Sequence, residues 1–317
     1  MAVVKLSTSG LSNFAKYSSM LAGNTKFRLP GVAGYAAGGT TGSYVATVDK
    51  FAFPSDSRTT LGTGLSVART YSAGFSNPAV AGYVAGGFTG SNQVVVDKFS
   101  FPADSRTTLG TGLSIARRTP AGFSNPAVAG YAAGGQGSPI RSTVDKFAFP
   151  ADTRTTLGTG LSAEREGVTG FSDSAVAGYV AGGEEGSVVS TVDKFAFSGD
   201  ARTTLATGLS SARKLATGFS NNAVAGYVAG GYLAIATVDK FAFPSDSRST
   251  LATGLSAGRS YVTGFADSTV AGYAAGGFTG SGVSTVDKFA FPADTRTTLG
   301  TGLSSERYGA AGFQDAQ

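Results

Sequence analysis

The chain has no cysteine, histidine or tryptophan, and only two of its 317 residues are methionine. Without cysteine there are no disulfides and no thiolate metal sites, and the redox compartment stays open. Without histidine or cysteine the common Ser-His and Cys-His nucleophile pairs are excluded. Zinc and haem lose their usual ligands, so no metal and no cofactor is expected. No run of about 20 apolar residues exists, so no membrane insertion is expected. The opening Met1-Ala2-Val3-Val4-Lys5-Leu6-Ser7 lacks the apolar stretch of a secretory signal. Acid is missing from residues 1–29, which hold Lys5, Lys16, Lys26 and Arg28. The remaining 21 of the 25 Lys and Arg face all 20 Asp and Glu. A nucleic-acid binder carries a concentrated basic stripe, and this near-neutral stretch does not, so nucleic acid is not an expected partner.

What the chain has is repetition. The unit T-V-D-K-F-A-F-P-x-D-x-R-T-T-L-x-T-G-L-S-x-x-R occurs six times, with Asp49, Asp97, Asp145, Asp193, Asp239 and Asp287 at steps of 48, 48, 48, 46 and 48 residues. A second marker, A-G-Y-[AV]-A-G-G, keeps the same beat through Tyr35, Tyr83, Tyr131, Tyr179, Tyr227 and Tyr273. The 47 glycines alternate with regular Val, Phe, Leu and Tyr, so a core can form. Repeats of this length mean solenoids, propellers or arrays.

Within residues 70–117 the pattern predicts four strands. Tyr71 to Phe75 ends at the turn Ser76-Asn77-Pro78, and Val80 to Ala85 is closed by Gly86-Gly87. Val94 to Phe101, rich in β-branched and aromatic residues, ends at Pro102-Ala103-Asp104-Ser105; Thr107 to Leu113 is the fourth. Four short strands per unit, six times over, predict an all-β, six-bladed β-propeller over residues 30–317 after a basic segment, 1–29. The chain ends on a first strand, Gly312-Phe313-Gln314, and its repeats begin on a second, Val32-Ala33-Gly34-Tyr35. One C-terminal plus three N-terminal strands therefore complete the sixth blade and close the ring. The Gly and Ala of the second strand suggest tight packing near the axis.

The order of features resembles the kelch repeat: a glycine pair, an aromatic-bearing third strand and a small-x-x-Arg exit. The pairs are Gly38-Gly39, Gly86-Gly87, Gly134-Gly135, Gly182-Gly183, Gly230-Gly231 and Gly276-Gly277. The resemblance spans residues 30–317, with one departure: R-T-T-L, as at Arg58 to Leu61, replaces the usual fourth-strand Trp. It implies a kelch-like propeller.

The recurrent charges are Asp49, Arg58 and Arg69 in the first unit, then Asp97 with Arg106, Asp145 with Arg154, Asp193 with Arg202, Asp239 with Arg248 and Asp287 with Arg296. They suit either a ring of carboxylates for acid/base chemistry or calcium, or staples between turns and blades. Their presence in nearly every unit favours the staples. The segment Ala36-Ala37-Gly38-Gly39-Thr40-Thr41-Gly42-Ser43 lacks the Lys and helix of a phosphate loop.

The positions that vary carry the functional signal. After the glycine pair stand Thr40, Phe88, Gln136, Glu184, Tyr232 and Phe278. After the exit Arg stand Thr70-Tyr71, Arg118-Thr119, Glu166-Gly167, Lys214-Leu215, Ser260-Tyr261 and Tyr308-Gly309. Up-and-down blades put both loops on one face. Variation on one face of a rigid scaffold points to binding, with aromatic rings for sugars or protein anchors; drift in unconstrained loops is the alternative. The uniform face is a candidate packing surface.

In the N-terminal segment Ser12 is placed to cap a short helix, Asn13 to Leu21, with Phe14, Tyr17 and Leu21 on one side and Lys16 nearby. Nine residues make a marginal helix, so it is expected to dock on its own ring or on a partner. The stretch L-S-N-F-A-K-Y-S-S-M-L-A-G-N, residues 11–24, resembles the openings of phage virion and tail-associated proteins. The uniform Gly/Ala-rich units are similar to propellers encoded by phages of aquatic bacteria, cyanophages among them. These resemblances imply a non-enzymatic tail-fibre or virion component, anchored through residues 1–29 and offering its variable face to a host glycan or protein. Outside a particle the expected location is the cytoplasm. A bacterial interaction scaffold is the alternative, and a carbohydrate-active enzyme a further one. For the last, Glu164, Glu166, Glu184 and Glu185 alone break the symmetry, and they are expected on adjacent blades, at loop tips in water.

Overall fold

The computed structural model describes residues 32–315. Among them are twenty-four strands, β1 to β24 in chain order, in six four-stranded antiparallel sheets. The second blade shows the pattern: β4 (Ala73–Asn77), β5 (Ala81–Ala85), β6 (Val96–Ser100) and β7 (Ser105–Thr108) pair in that order. The first blade is β1 (Ala33–Ala37), β2 (Val48–Ala52) and β3 (Ser57–Thr60), with β24 (Ala311–Gln314) paired to β1 on its inner side. The protein is therefore a six-bladed β-propeller closed by one C-terminal and three N-terminal strands. The expected N-terminal helix and its residues Phe14, Lys16, Tyr17 and Leu21 lie outside the described residues.

The strand boundaries differ from the sequence expectation in one informative place. The fourth strand is only Ser105–Thr108, so Leu109 to Leu113 is not strand but loop. The apolar alternation there serves packing: Leu113 is buried and Leu109 packs partly buried against the same core. The L-S-x-x-R tail then crosses toward the next blade.

Blades meet through aromatic stacks. Phe75 on β4 stacks on Tyr83 of its own blade (5.0 Å, 13°) and on Phe147 of the next (5.7 Å, 25°), while Tyr83 stacks on Phe149 (5.3 Å, 23°). Each such pair adds about 0.5–1.5 kcal/mol beyond its area burial. The glycine of A-G-Y makes this possible. A Cβ on Gly82 falls 2.0 Å from the Phe313 ring of the preceding blade. The axis itself is lined by the first strands, and the tight packing there comes from their glycines rather than from the second strand. A Cβ on Gly122 falls 2.0 Å from the Gly74 carbonyl oxygen, and the same contact runs round Gly170, Gly218, Gly264 and Gly312. These six glycines form a waist between two hollows on the axis.

The repeated charges are staples. Asp97 on β6 is fully buried; its Oδ2 accepts from Arg69 Nη1 (2.9 Å) and from the Ser66 backbone N–H and hydroxyl (2.9 Å each). Both partners belong to the segment arriving from the first blade, so the carboxylate locks the crossover. Oδ1 accepts from the Thr108 hydroxyl (2.7 Å), with Arg106 at 3.7 Å. Asp49 closes the circle by accepting from Ser304 and Arg307, from the far end of the chain. Arg58 flanks Asp49, and Arg154, Arg202, Arg248 and Arg296 flank Asp145, Asp193, Asp239 and Asp287 at 3.6 to 3.8 Å. A second staple joins Tyr35, whose hydroxyl donates to Asp104 Oδ1 (2.7 Å), and Lys50, which donates to Oδ2 (2.7 Å). The other five interfaces repeat it, ending with Tyr273 and Lys288 on Asp56.

Candidate functional site

The two variable positions of each unit become neighbours. Gly86 and Gly87, with φ of 67° and 111°, turn the chain after β5 so that Phe88 exchanges backbone hydrogen bonds with Thr70 (2.8 and 3.1 Å). The same bridge joins Arg118 to Gln136, Glu166 to Glu184, Ser260 to Phe278 and Tyr308 to Thr40. In the 46-residue unit a single bond remains, from Tyr232 N–H to the Lys214 carbonyl (2.8 Å). All the variable residues therefore crowd one end of the channel.

The next residue inward is left-handed in every blade: Tyr71, Thr119, Gly167, Leu215, Tyr261 and Gly309 have φ between 52° and 68°. This turn aims each N–H at the neighbouring blade. Tyr71 donates to Gly309, Thr119 to Tyr71, Leu215 to Gly167, Tyr261 to Leu215 and Gly309 to Tyr261, at 2.7 to 2.9 Å. Gly167 N–H completes the circuit by donating to the Thr119 hydroxyl (3.1 Å). The mouth is thus a rim tied blade to blade through its backbone.

Several variable side chains are matched across blades. The Arg118 guanidinium lies over the Phe88 ring at 4.7 Å. Lys214 forms an ion pair with Glu184 and lies 5.4 Å from the Tyr232 ring centre. Phe278 meets Tyr308 edge-on at 5.0 Å and 62°. Such complementarity is not expected of unconstrained drift.

Tyr71, Tyr261 and Tyr308 converge at one side of the mouth. Tyr71 and Tyr261 are 4.9 Å apart, Tyr261 and Tyr308 5.6 Å, and Tyr71 and Tyr308 6.4 Å. Gly309, between them in the ring, leaves the room: a Cβ there falls 2.7 Å from the Tyr71 ring. Burial, and then the neighbouring phenols, push the Tyr71 hydroxyl well above its ordinary pKa, and burial raises Tyr261 as well. The Tyr71 and Tyr261 hydroxyls therefore stay protonated at physiological pH.

Glu166 and Glu184 are not on adjacent blades in water, as expected from sequence. They bridge within one blade, and both are half-buried; Glu164 and Glu185 are exposed. Burial raises the Glu166 pKa, and the Glu184 carboxyl, hydrogen-bonded to it, adds to the rise against the pull of Lys214 and Arg118. Among the described residues no three acids converge to hold a metal ion. No helix among them is long and apolar enough to cross a membrane.

One residue of this face was missed from sequence. Tyr44 meets Phe88 edge-on at 5.9 Å and 90°, and with Thr40, Tyr71, Phe88 and Tyr308 it bounds an open hollow of about 500 Å³. Its signal was there: the bridge partners at the equivalent loop position are Asn92, Ile140, Val188 and Gly282, so one unit alone carries an aromatic. The opposite face is uniform, with one exposed valine per blade: Val32, Val80, Val128, Val176, Val224 and Val270, 41 to 54 % exposed. Comparison with known protein families finds no match to this chain, and comparison with curated proteins finds none.

Proposed function

We propose that this propeller is a non-enzymatic binding module of kelch-like descent, working as a tail-fibre or virion component of a phage. The observation that carries the binding role is the variable rim. Its backbone is tied from blade to blade by a closed hydrogen-bonded circuit, and the residues mounted beside it differ from unit to unit. Phe88, Tyr71, Tyr261, Tyr308, Phe278 and Tyr232 present aromatic surface there, with Arg118, Gln136, Glu184 and Lys214 completing the arc.

The two-sided layout supports attachment at one end and presentation at the other. The described chain begins at Val32, within the valine ring of the uniform face, on the side away from the rim. The virion setting rests on the resemblance of residues 11–24 and of the repeats to phage proteins. The non-enzymatic reading rests on the sequence's lack of His and Cys and on the acid pair. Glu166 and Glu184 share a hydrogen bond, whereas glycosidase carboxyls stand about 5–9.5 Å apart across a sugar.

The test has two parts. Peptide mass spectrometry of purified particles should find the chain as a stoichiometric component. Soluble propeller should compete with particle adsorption to host cells, and the Tyr71→Ser/Tyr261→Ser double variant should compete at least several-fold less well. Absence from particles, or equal competition by the variant, would overturn this function.

A further inference from the structure

We propose that the hollow bounded by Tyr44, Tyr71, Phe88 and Tyr308 seats a single neutral pyranose at the exposed end of a glycan. The inference deepens the binding role argued above and rests on the rim being the presenting face.

The hollow exists because the first blade breaks the pattern twice and carries a rim glycine that only the fourth blade shares. At the position after the glycine pair, five units place Phe88, Gln136, Glu184, Tyr232 or Phe278, and the first places the small, buried Thr40. Four residues on, it adds Tyr44 where its counterparts are smaller or aliphatic. On the rim, Gly309 contributes no side chain, and Tyr71 leans into the vacated space.

The resulting walls fit a sugar ring in shape and chemistry. Tyr44 and Phe88 stand perpendicular at 5.9 Å, and Tyr71 and Tyr308 close the other sides at 6.4 Å and 42°. The volume, about 500 Å³, lies within the range of small-ligand sites and exceeds what one hexose needs. Aromatic faces accept the C–H face of a pyranose, while the exposed Tyr44 and Ser43 offer hydroxyls to its edge.

Charge selects among ligands. No acidic or basic side chain lines the hollow. An ammonium ligand finds no carboxylate, and the Phe88 ring already faces the Arg118 guanidinium at 4.7 Å. An anionic sugar finds no free cation in the wall. A neutral saccharide needs neither.

The test is titration of the whole chain with methyl glycosides of glucose, galactose, mannose and N-acetylglucosamine, read by calorimetry and by saturation transfer to the sugar C–H protons. Choline and the methyl glycoside of sialic acid serve as charged probes. At least one neutral glycoside should bind saturably. Tyr44→Ala should weaken it about tenfold, a usual loss for a central aromatic contact. Thr40→Phe, which installs the residue of the second blade, should fill the hollow and abolish binding while the thermal melt stays unchanged. Thr59→Ala on outer strand β3 should leave affinity as it was. Absence of saturable binding by any neutral glycoside, undiminished binding by both hollow variants, or tighter binding of choline or sialoside overturns the inference. Particles that carry the protein and compete through the rim while no glycoside binds would sink this inference alone. Absence from particles leaves the titration untouched.

Discussion

The Arg69 guanidinium and the Asp97 carboxylate are both fully removed from water, and each is covered by the segment that carries the chain between blades. Burial alone pushes the Asp97 carboxyl up, but Arg69, the Ser66 N–H and two hydroxyls outweigh it and hold it below the usual carboxylate range. Asp49 is held down in the same way by Arg307 and Ser304. A carboxyl whose folded pKa is depressed contributes stability above its unfolded value near 3.9, and loses it as pH falls through the folded value. Arg69→Leu leaves that carboxylate buried without its cation, which costs about 3–5 kcal/mol when one partner of such a pair is removed. In urea titrations the variant should lose this amount at pH 7. The gap should narrow as pH falls, first above about pH 4 as the variant's unpaired buried carboxyl takes up a proton, then below it as the wild-type advantage is lost. A gap that is constant with pH would mean that lost packing, not charge, explains the destabilisation. The sequence did make these charges legible as staples, since a sixfold Asp and Arg serve every blade alike. It did not tell which blade each Arg binds, because that depends on the path of the L-S-x-x-R crossover.

At the scale of the element, strand existence was readable and strand length was not. Leu109 and Leu113 alternate with polar residues as a strand does, yet they leave the sheet after Thr108 to plug the core beneath the crossover. Close approach decides where glycine is required. Gly122 lies on the first strand of the third blade and Gly110 in the loop that precedes it. A Cβ on Gly122 meets the Gly74 carbonyl oxygen at 2.0 Å, its nearest neighbours are all Gly74 backbone, and there is no side chain to yield. A Cβ on Gly110 meets nothing within 4 Å. Overpacking costs about 1–3 kcal/mol where side chains can move, and this contact leaves none that can. Gly122→Ala should therefore destabilise by about 3 kcal/mol or more, and Gly110→Ala by less than about 0.5 kcal/mol. Chemical denaturation of the two variants in parallel checks the ranking. Equal stability would show that the blades slide outward freely and that the axis is not the tight waist described.

At the scale of the molecule, blade number and closure followed from counting units, while the candidate site did not, because Tyr71, Tyr261 and Tyr308 meet only once the ring is shut. Beside the Asp49 and Asp56 staples, closure draws on one short strand. β24 pairs with β1, Phe313 stacks on Tyr35 at 4.7 Å and 11°, and the Phe313 ring fills the space that Gly82 leaves in the second blade. Asp315 Oδ1 also accepts from the Ala79 N–H at 2.9 Å, tying the end of the chain to the next blade. Removing residues 311–317 strips these contacts together and bares β1, whose five residues are all buried. An uncovered edge strand with an apolar face recruits another chain. The truncated protein should elute as concentration-dependent oligomers in size exclusion with light scattering, and a synthetic peptide covering residues 305–317 should return it to monomer. A truncated chain that stays monomeric and melts cooperatively within a few degrees of full length would locate the ring's cohesion in the four interfaces that β24 does not touch. The rim would then survive without closure, and binding through Tyr71 and Tyr308 would have to persist in the truncated form.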